Sequence, residues 1–280
     1  INTYTSKRFE KIMCDLYECS NSILTSSGLS AIAISLTSFL KHGDEILITE
    51  NCYEPVLNLA SLHLRKFGIK HFFFSNNLNQ LKKKINKRTK IIYLESPGSL
   101  NYEVQDLIEI VKIAKKNKIM TIIDNTWATF LGCNPLKFNV DVVIESATKY
   151  LSGHSDNFLG IIVTNSQILG KKLKQSAVRV GDYVSSESCF NATKGIKTLS
   201  IRLKKHSKNA QKVFNYLESH SYVDDIFFLP DVNNKFHKLW KKYFNLHNGL
   251  ITFSLKKKKN IKKFVDSLKL FKIGFSWGGY

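Results

Sequence analysis

Residues 142–156 read Val-Val-Ile-Glu-Ser-Ala-Thr-Lys-Tyr-Leu-Ser-Gly-His-Ser-Asp. The β-branched apolar run predicts a buried strand. It stops at two hydroxyls, Ser146 and Thr148, with Lys149 directly behind them and Gly153 just beyond. A lysine delivered to the end of a buried strand loses part of its charge, because desolvation disfavours the ammonium. The neutral amine is then a nucleophile that forms a Schiff base with a carbonyl. The flanking hydroxyls and the polar loop are placed to hold an anion such as a cofactor phosphate. The competing reading is a strand that ends in an ordinary surface lysine, common in a chain with 42 Lys+Arg.

Two other strings have the same form, a strand that ends in polar residues. Residues 21–25 predict a short strand, Ser26-Ser27-Gly28-Leu29-Ser30 a turn, and residues 31–40 an apolar helix. The free amides and dipole of a helix start make such a turn an anion site, although the same string also serves as a plain tight turn. Residues 119–123 predict a buried strand ending in Asp124-Asn125-Thr126-Trp127-Ala128. A carboxylate there sits at the rim of an open α/β sheet, where ligands bind. Alternatively it is a helix cap or loop anchor. Because Asp124 and Lys149 each end a strand of their own, the pair favours a ligand site.

The elements that must position these residues alternate along the chain. Helices are expected over residues 6–18, 104–115, 188–219 (with an interruption near Gly195) and 261–270. Strands are expected over 45–49, 71–74, 90–94, 160–164, 226–229 and 250–255. Pro55 suits the first turn of a helix after Tyr53. Alternation throughout predicts an α/β fold with a mostly parallel central sheet. We expect a large domain over residues 1–185, a connecting helix over 186–220 and a smaller partial C-terminal α/β domain over 221–280.

Composition narrows the function classes. The formal charge of +20 raises nucleic acid as a partner. The basic residues, however, are mostly lysines spread along polar faces (Lys82 to Lys84, Lys115, Lys116, Lys118, and Lys256 to Lys259), with little arginine and no zinc-finger or RNP pattern. No specific nucleic-acid partner is therefore expected. Five cysteines at unrelated spacings fit neither a zinc set nor a disulfide framework, as in a reducing, cytoplasmic setting. No metal cluster is expected, and no apolar run approaches the length of a membrane span. His154 is read as a structural hydrogen-bonding residue and His206 as solvated. The chain starts at Ile1 without methionine and ends on Trp277-Gly278-Gly279-Tyr280, so a piece of a longer protein is expected.

Ser-Ala-Thr-Lys-Tyr-Leu-Ser-Gly-His-Ser-Asp resembles the lysine segment of the Cys/Met-metabolism family of pyridoxal-phosphate enzymes, which includes cystathionine β- and γ-lyases, cystathionine γ-synthase and methionine γ-lyase. Ser-Ser-Gly-Leu-Ser-Ala is similar to that family's phosphate-binding turn, Tyr53-Glu54-Pro55 to the place of its ring-stacking aromatic, and Asp-Asn-Thr-Trp-Ala to its carboxylate segment. The resemblance runs through nearly the whole chain. It implies the pyridoxal-phosphate fold type I (aspartate-aminotransferase-like), here truncated in its smaller C-terminal domain, with pyridoxal 5'-phosphate as cofactor.

By that resemblance Lys149 carries the cofactor and moves the substrate proton, and Asp124 keeps the pyridine nitrogen protonated. Tyr53 stacks on the ring and is a candidate proton carrier and substrate contact. Ser27, Gly28, Leu29, Ser146 and Thr148 hold the phosphate. Ser276 and Trp277 begin the substrate region. Glu95-Ser96-Pro97-Gly98-Ser99 resembles the bacterial cystathionine β-lyases rather than relatives with γ-chemistry. The implied activity is carbon–sulfur β-lysis of an amino-acid thioether, L-cystathionine, in methionine biosynthesis. The implied assembly is a homotetramer with active sites shared between subunits. The family's N-terminal Tyr-x-Arg element and its α-carboxylate arginine would fall before Ile1 and after Tyr280. The rivals are a γ-acting relative, an aminotransferase of the same fold, and a basic or decayed chain without catalysis.

Overall fold

The computed structural model describes residues 3–257, 261–274 and 276–279. Lys258 and Lys259 of the basic run, and both terminal residues Ile1 and Tyr280, lie outside them. Nine strands are described: β1 (Asn21–Thr25), β2 (Glu45–Thr49), β3 (Lys70–Phe74), β4 (Thr89–Glu95), β5 (Met120–Asp124), β6 (Val142–Ser146), β7 (Gly160–Thr164), β8 (Val223–Phe227) and β9 (Thr252–Leu255). The first seven form one sheet in the order β1-β7-β6-β5-β4-β2-β3. β3, β2, β4, β5 and β6 pair in parallel, while β7 is antiparallel to both β6 and β1. Only β7 is reversed, so the other six strands deliver their C-terminal ends to one edge of the sheet.

The helices are α1 (Tyr4–Tyr17), α2 (Gly28–Thr37), α3 (Glu54–Asn58), α4 (Leu78–Lys84), α5 (Leu107–Lys116), α6 (Thr129–Gly132), α7 (Gln167–Arg179), α8 (Ser186–Glu218), α9 (His237–Tyr243) and α10 (Ile261–Asp266). They cover both faces of the sheet, as strands with near-continuous apolar runs require. Along β6, Val142 and Ile144 pack toward α2, α3 and α7, whereas Val143 packs toward α1, α5 and the start of α8. Hydroxyl and carboxylate side chains define the helix starts. Ser27, Asp106, Ser166 and Ser185 each accept an amide hydrogen bond from the first turn of their helix.

Several boundaries differ from expectation. α5 begins at Leu107 rather than 104, because Asp106 is the cap. α10 ends at Asp266, before Leu270. β8 runs from Val223 to Phe227, earlier than residues 226–229, and pairs antiparallel with β9 through an irregular register. α4 and α7 were not anticipated. α7 carries its core contacts only on Leu173 and Ala177 with partly buried Leu169, one narrow stripe in a lysine-rich segment.

The interruption expected near Gly195 does not occur, and α8 runs unbroken for 33 residues. A mid-helix glycine costs about 1 kcal/mol relative to alanine, but close approach requires it here. A Cβ at position 195 would lie 2.3 Å from the Leu151 carbonyl oxygen and 2.4 Å from that of Ser152. The glycine lets α8 lie directly against the loop that follows Lys149. Gly195→Ala should therefore destabilise the protein by about 1–3 kcal/mol through overpacking, measured as a lower midpoint in urea unfolding.

Candidate active site

A cavity of about 220 Å³ opens at the sheet edge where the six strands end. It is lined by Ser27, Gly28, Leu29 and Ile32 from the start of α2, Tyr53 after β2, Glu95 and Ser99 after β4, Asp124, Thr126 and Trp127 after β5, and Ser146, Thr148 and Lys149 after β6. Phe158 and Trp277 complete the wall. The structure thus brings nine of the ten expected site residues to one cleft. The tenth, Ser276, accepts a hydrogen bond from Lys149 Nζ at 2.8 Å.

Lys149 leaves β6 in a tight turn, with its N–H donating to the Ser146 carbonyl at 3.1 Å and its own carbonyl accepting from Gly153 N–H at 2.9 Å. Nζ lies 5.4 Å from the centre of the Trp277 ring. Burial lowers the Lys149 pKa, and the Asp124 charge opposes that shift. An amine held this way keeps a larger neutral fraction than a solvated lysine, as attack on a carbonyl requires.

Asp124 sits opposite Glu95 in the β4–β5 register. Its Oδ1 accepts the Thr126 N–H at 2.8 Å. Burial raises the Asp124 carboxyl, opposed by the Thr126 hydrogen bonds and the Lys149 charge. Glu95 is pushed up to about 8 by burial and by the Asp124 charge. Its oxygens accept the Tyr53 N–H at 2.6 Å and the Ser99 hydroxyl at 2.5 Å. Glu95 therefore ties down the backbone from which the Tyr53 ring reaches the cleft, with 41% of that residue exposed. Sequence reasoning treated Glu95 only as part of a subgroup string. Its place at the end of a buried strand beside Asp124 was the available signal.

The start of α2 and the end of β6 are in close contact. A Cβ on Gly28 would fall 2.6 Å from Ser146 Cβ. The first-turn amides of α2 point where no helical acceptor exists, beside the Ser146 hydroxyl. The Thr148 hydroxyl is already engaged, accepting from Leu159 N–H at 3.0 Å and reaching the Leu159 carbonyl at 3.4 Å. Its availability to an anion is thus less than the sequence suggested. Asp182 was missed altogether. Its carboxylate accepts the Ser26 N–H at 2.9 Å and the Ser30 hydroxyl, which fixes the turn from its outer side.

These features fit pyridoxal phosphate. The helix start and Ser146 suit the phosphate. The raised Asp124 carboxyl marks a buried anion short of a cationic partner, such as a ring nitrogen. Among the described residues Lys149 is the only lysine on the cleft wall. His154 Nδ1 lies 2.7 Å from the Ser152 carbonyl, in keeping with a structural bond. His206 is not simply solvated. It is half-buried, 5.6 Å from the Tyr150 ring, and its pKa is lowered by burial and by Arg202. Among the described residues no group of three or more His, Cys, Asp or Glu is arranged to hold a metal ion, and no helix is long and apolar enough to cross a membrane.

A family model described as Cys/Met metabolism PLP-dependent enzyme matches residues 1–280. A protein of Escherichia coli K12 named cystathionine beta-lyase MetC is 34% identical over 284 residues, covering 99% of this chain and 72% of that protein. A protein of Wolbachia pipientis wMel named L-alanine/L-glutamate racemase is 33% identical over 284 residues, covering 100% of this chain and 70% of its own. Among solved structures, cystathionine gamma-lyase from Lactobacillus plantarum complexed with L-serine superposes with a TM-score of 0.96 at 30% identity, over 99% of this chain and 73% of that one. A putative O-acetylhomoserine (thiol)-lyase from Campylobacter jejuni, whose lysine carries a pyridoxyl phosphate, gives 0.95 at 27% identity, over 99% and 78%.

Glu145, the residue before Ser146, meets α1 inside the core, where it accepts the Tyr17 hydroxyl while the Asn125 amide donates to that same hydroxyl at 3.1 Å. Burial and the Asp124 charge raise the Glu145 carboxyl to about 8, with the Tyr17 bond opposing them. The folded state thus holds a proton that the unfolded chain releases from its ordinary 4.5 upward. Glu145 stabilises the fold fully below 4.5, and that contribution is lost as pH rises to about 8. In urea unfolding across this range, wild-type stability relative to Glu145→Gln should fall with pH and level off above it. A pH-independent difference would contradict the assignment.

Proposed function

The chain belongs to the Cys/Met-metabolism family of pyridoxal-phosphate-dependent enzymes, and from that premise we propose that it is a carbon–sulfur lyase acting at Cβ, a cystathionine β-lyase. The reaction is L-cystathionine and water to L-homocysteine, pyruvate and ammonia. The observation that carries it is the Lys149 amine facing Asp124, Tyr53 and the α2 turn in one cleft. The relatives named cystathionine β-lyase and the Glu95-Ser96-Pro97-Gly98-Ser99 turn favour the β-carbon.

Bound pyridoxal phosphate supplies an electron sink for charge that develops at the substrate Cα. Lys149 would hold the cofactor through Nζ, and the same amine is placed to take the substrate Cα proton. The Asp124 carboxylate would hold the ring nitrogen's proton; burial raises its pKa, and the Thr126 hydrogen bonds and the Lys149 charge work against that shift, toward the ionised form. Tyr53, held from its backbone by Glu95, covers the ring. The α2 turn and Ser146 take the phosphate, with Thr148 supporting the loop through Leu159. Ser276 and Trp277 lie against Nζ and bound the substrate side.

A second reading follows from the racemase relative. Removing a Cα proton on Lys149 and returning one from another face would invert an amino acid without cleaving it. The two readings share their first proton transfer and differ in products. For assembly and setting, we propose a cytoplasmic homotetramer in which a neighbouring copy covers the cleft mouth. The exposed Phe158 (74%) and Leu29 (41%) at that mouth support this.

Loaded with pyridoxal phosphate and given L-cystathionine, the protein should release pyruvate and homocysteine. Oxobutyrate with cysteine would move the reaction to the γ-carbon, and D-alanine from L-alanine with no thiol release would favour the racemase. Lys149→Ala should abolish the visible absorbance of attached cofactor, and a retained band would remove Lys149 from its role. Asp124→Ala should lower kcat by about a hundredfold or more, the scale of a lost electrostatic contact to the reacting system. Near-normal turnover would count against Asp124.

A further inference from the structure

Arg202 lies on α8, seven residues beyond Gly195 and away from the cleft wall. Its Nη1 donates to the Tyr150 carbonyl at 2.8 Å, and its Nη2 to the Leu151 carbonyl at 3.3 Å and the Gly195 carbonyl at 2.8 Å. Nε donates to the Thr198 hydroxyl at 3.0 Å, which itself donates to the Gly195 carbonyl at 3.2 Å. Among the described residues no carboxylate lies within ion-pair distance of Arg202. A charged, half-buried guanidinium satisfied by main-chain carbonyls is a clamp on backbone rather than a surface ion pair. Its rigid fork reaches four acceptors, three carbonyls and the Thr198 hydroxyl, one more than the three N–H donors of an ammonium.

The backbone it grips is the one that carries Lys149. Tyr150 is held at both ends, its carbonyl by Arg202 and its hydroxyl by the Gly249 N–H at 3.2 Å, and its ring packs 5.2 Å from Trp277. With the next residue fixed this way, the Lys149 Cα has little freedom, and the side chain leaves for the cleft from one place. We propose that Arg202 is a positioning residue for Lys149, locking the loop after β6 onto α8 so that Nζ stands ready in the cleft to capture the cofactor.

The inference rests on cofactor attachment to Lys149, which is checked separately by borohydride reduction of the wild type and mass spectrometry of the tagged lysine. The test mixes cofactor-free protein with pyridoxal phosphate and follows the visible absorbance over a pH series, alongside thermal unfolding. The proteins are wild type, Arg202→Met, Arg202→Lys and, as a control, the exposed Lys205→Met. Asp124 and Glu95 face the same cleft and titrate in every variant, so the comparison isolates the clamp.

Arg202→Met should capture cofactor about tenfold more slowly, the scale of a misplaced reacting group. The pH of half-maximal capture should rise, because a released loop returns the amine to water. Arg202→Lys should recover only part of the rate, and Lys205→Met should match wild type. Wild-type rate and pH midpoint in Arg202→Met, with only a lower thermal midpoint, would make Arg202 a fold staple and overturn the proposal. If Arg202→Met does not fold, Arg202→Lys decides on the same two readings: a slowed, shifted capture supports the clamp, and wild-type capture overturns it.

Discussion

The parallel register of β2, β4, β5 and β6 is the constraint on which the rest depends. It brings Thr49, Glu95, Asp124 and Ser146 to one edge, and their polar groups must be satisfied there because both faces of the sheet are covered. They satisfy one another. The Thr49 hydroxyl accepts the Glu95 N–H at 3.2 Å, the Asn125 N–H reaches the Ile144 carbonyl at 2.7 Å, and the Thr126 hydroxyl accepts the Ser146 N–H at 2.8 Å. The strand ends are laced side to side before any ligand is considered. Asp124 and Lys149 inherit their separation from that lacing rather than from contact with each other.

Three carboxyls, Glu95, Asp124 and Glu145, crowd this edge, and burial raises all three. Two have a hydrogen-bonding task within the protein, Glu95 at the Tyr53 backbone and Glu145 at the Tyr17 hydroxyl. Asp124 faces the cleft with the nearby lysine charge drawing its carboxyl down. The chain's +20 plays no visible part in this balance. The local field is set by a single lysine and by buried carboxyls, because exposed lysines are screened by water.

The loop after β6 is held from behind as well as in front. α8 reaches it through the missing side chain of Gly195 and the fork of Arg202, and the segment around Gly249 reaches it through the Tyr150 hydroxyl. A long helix that bridges to the β8–β9 sheet thereby braces the lysine as well. The mid-helix glycine that read as a break is the condition for this contact.

Much of the fold was legible locally. The apolar runs of β2, β4, β5 and β6 and their polar ends are written in consecutive residues, and so are the lysine segment, the Ser27–Gly28 turn and Asp124, since burial period and turn chemistry are short-range properties. The sequence by itself therefore determined which residues end which strands, and through their resemblance to a known family, which cofactor they suit. α4 and α7 were not legible, because their narrow apolar stripes are lost among lysines. Neither were the roles of Glu95, Asp182 and Arg202. Each acts on groups 42 to 156 residues away, or on carbonyls that every residue possesses, apart from local bonds such as Glu95 to Ser99 and Arg202 to Gly195 and Thr198. Hydrogen bonds to main chain leave no pattern in side-chain identity. Only the tertiary structure, by bringing α8 and the strand ends together, decided what those three residues hold.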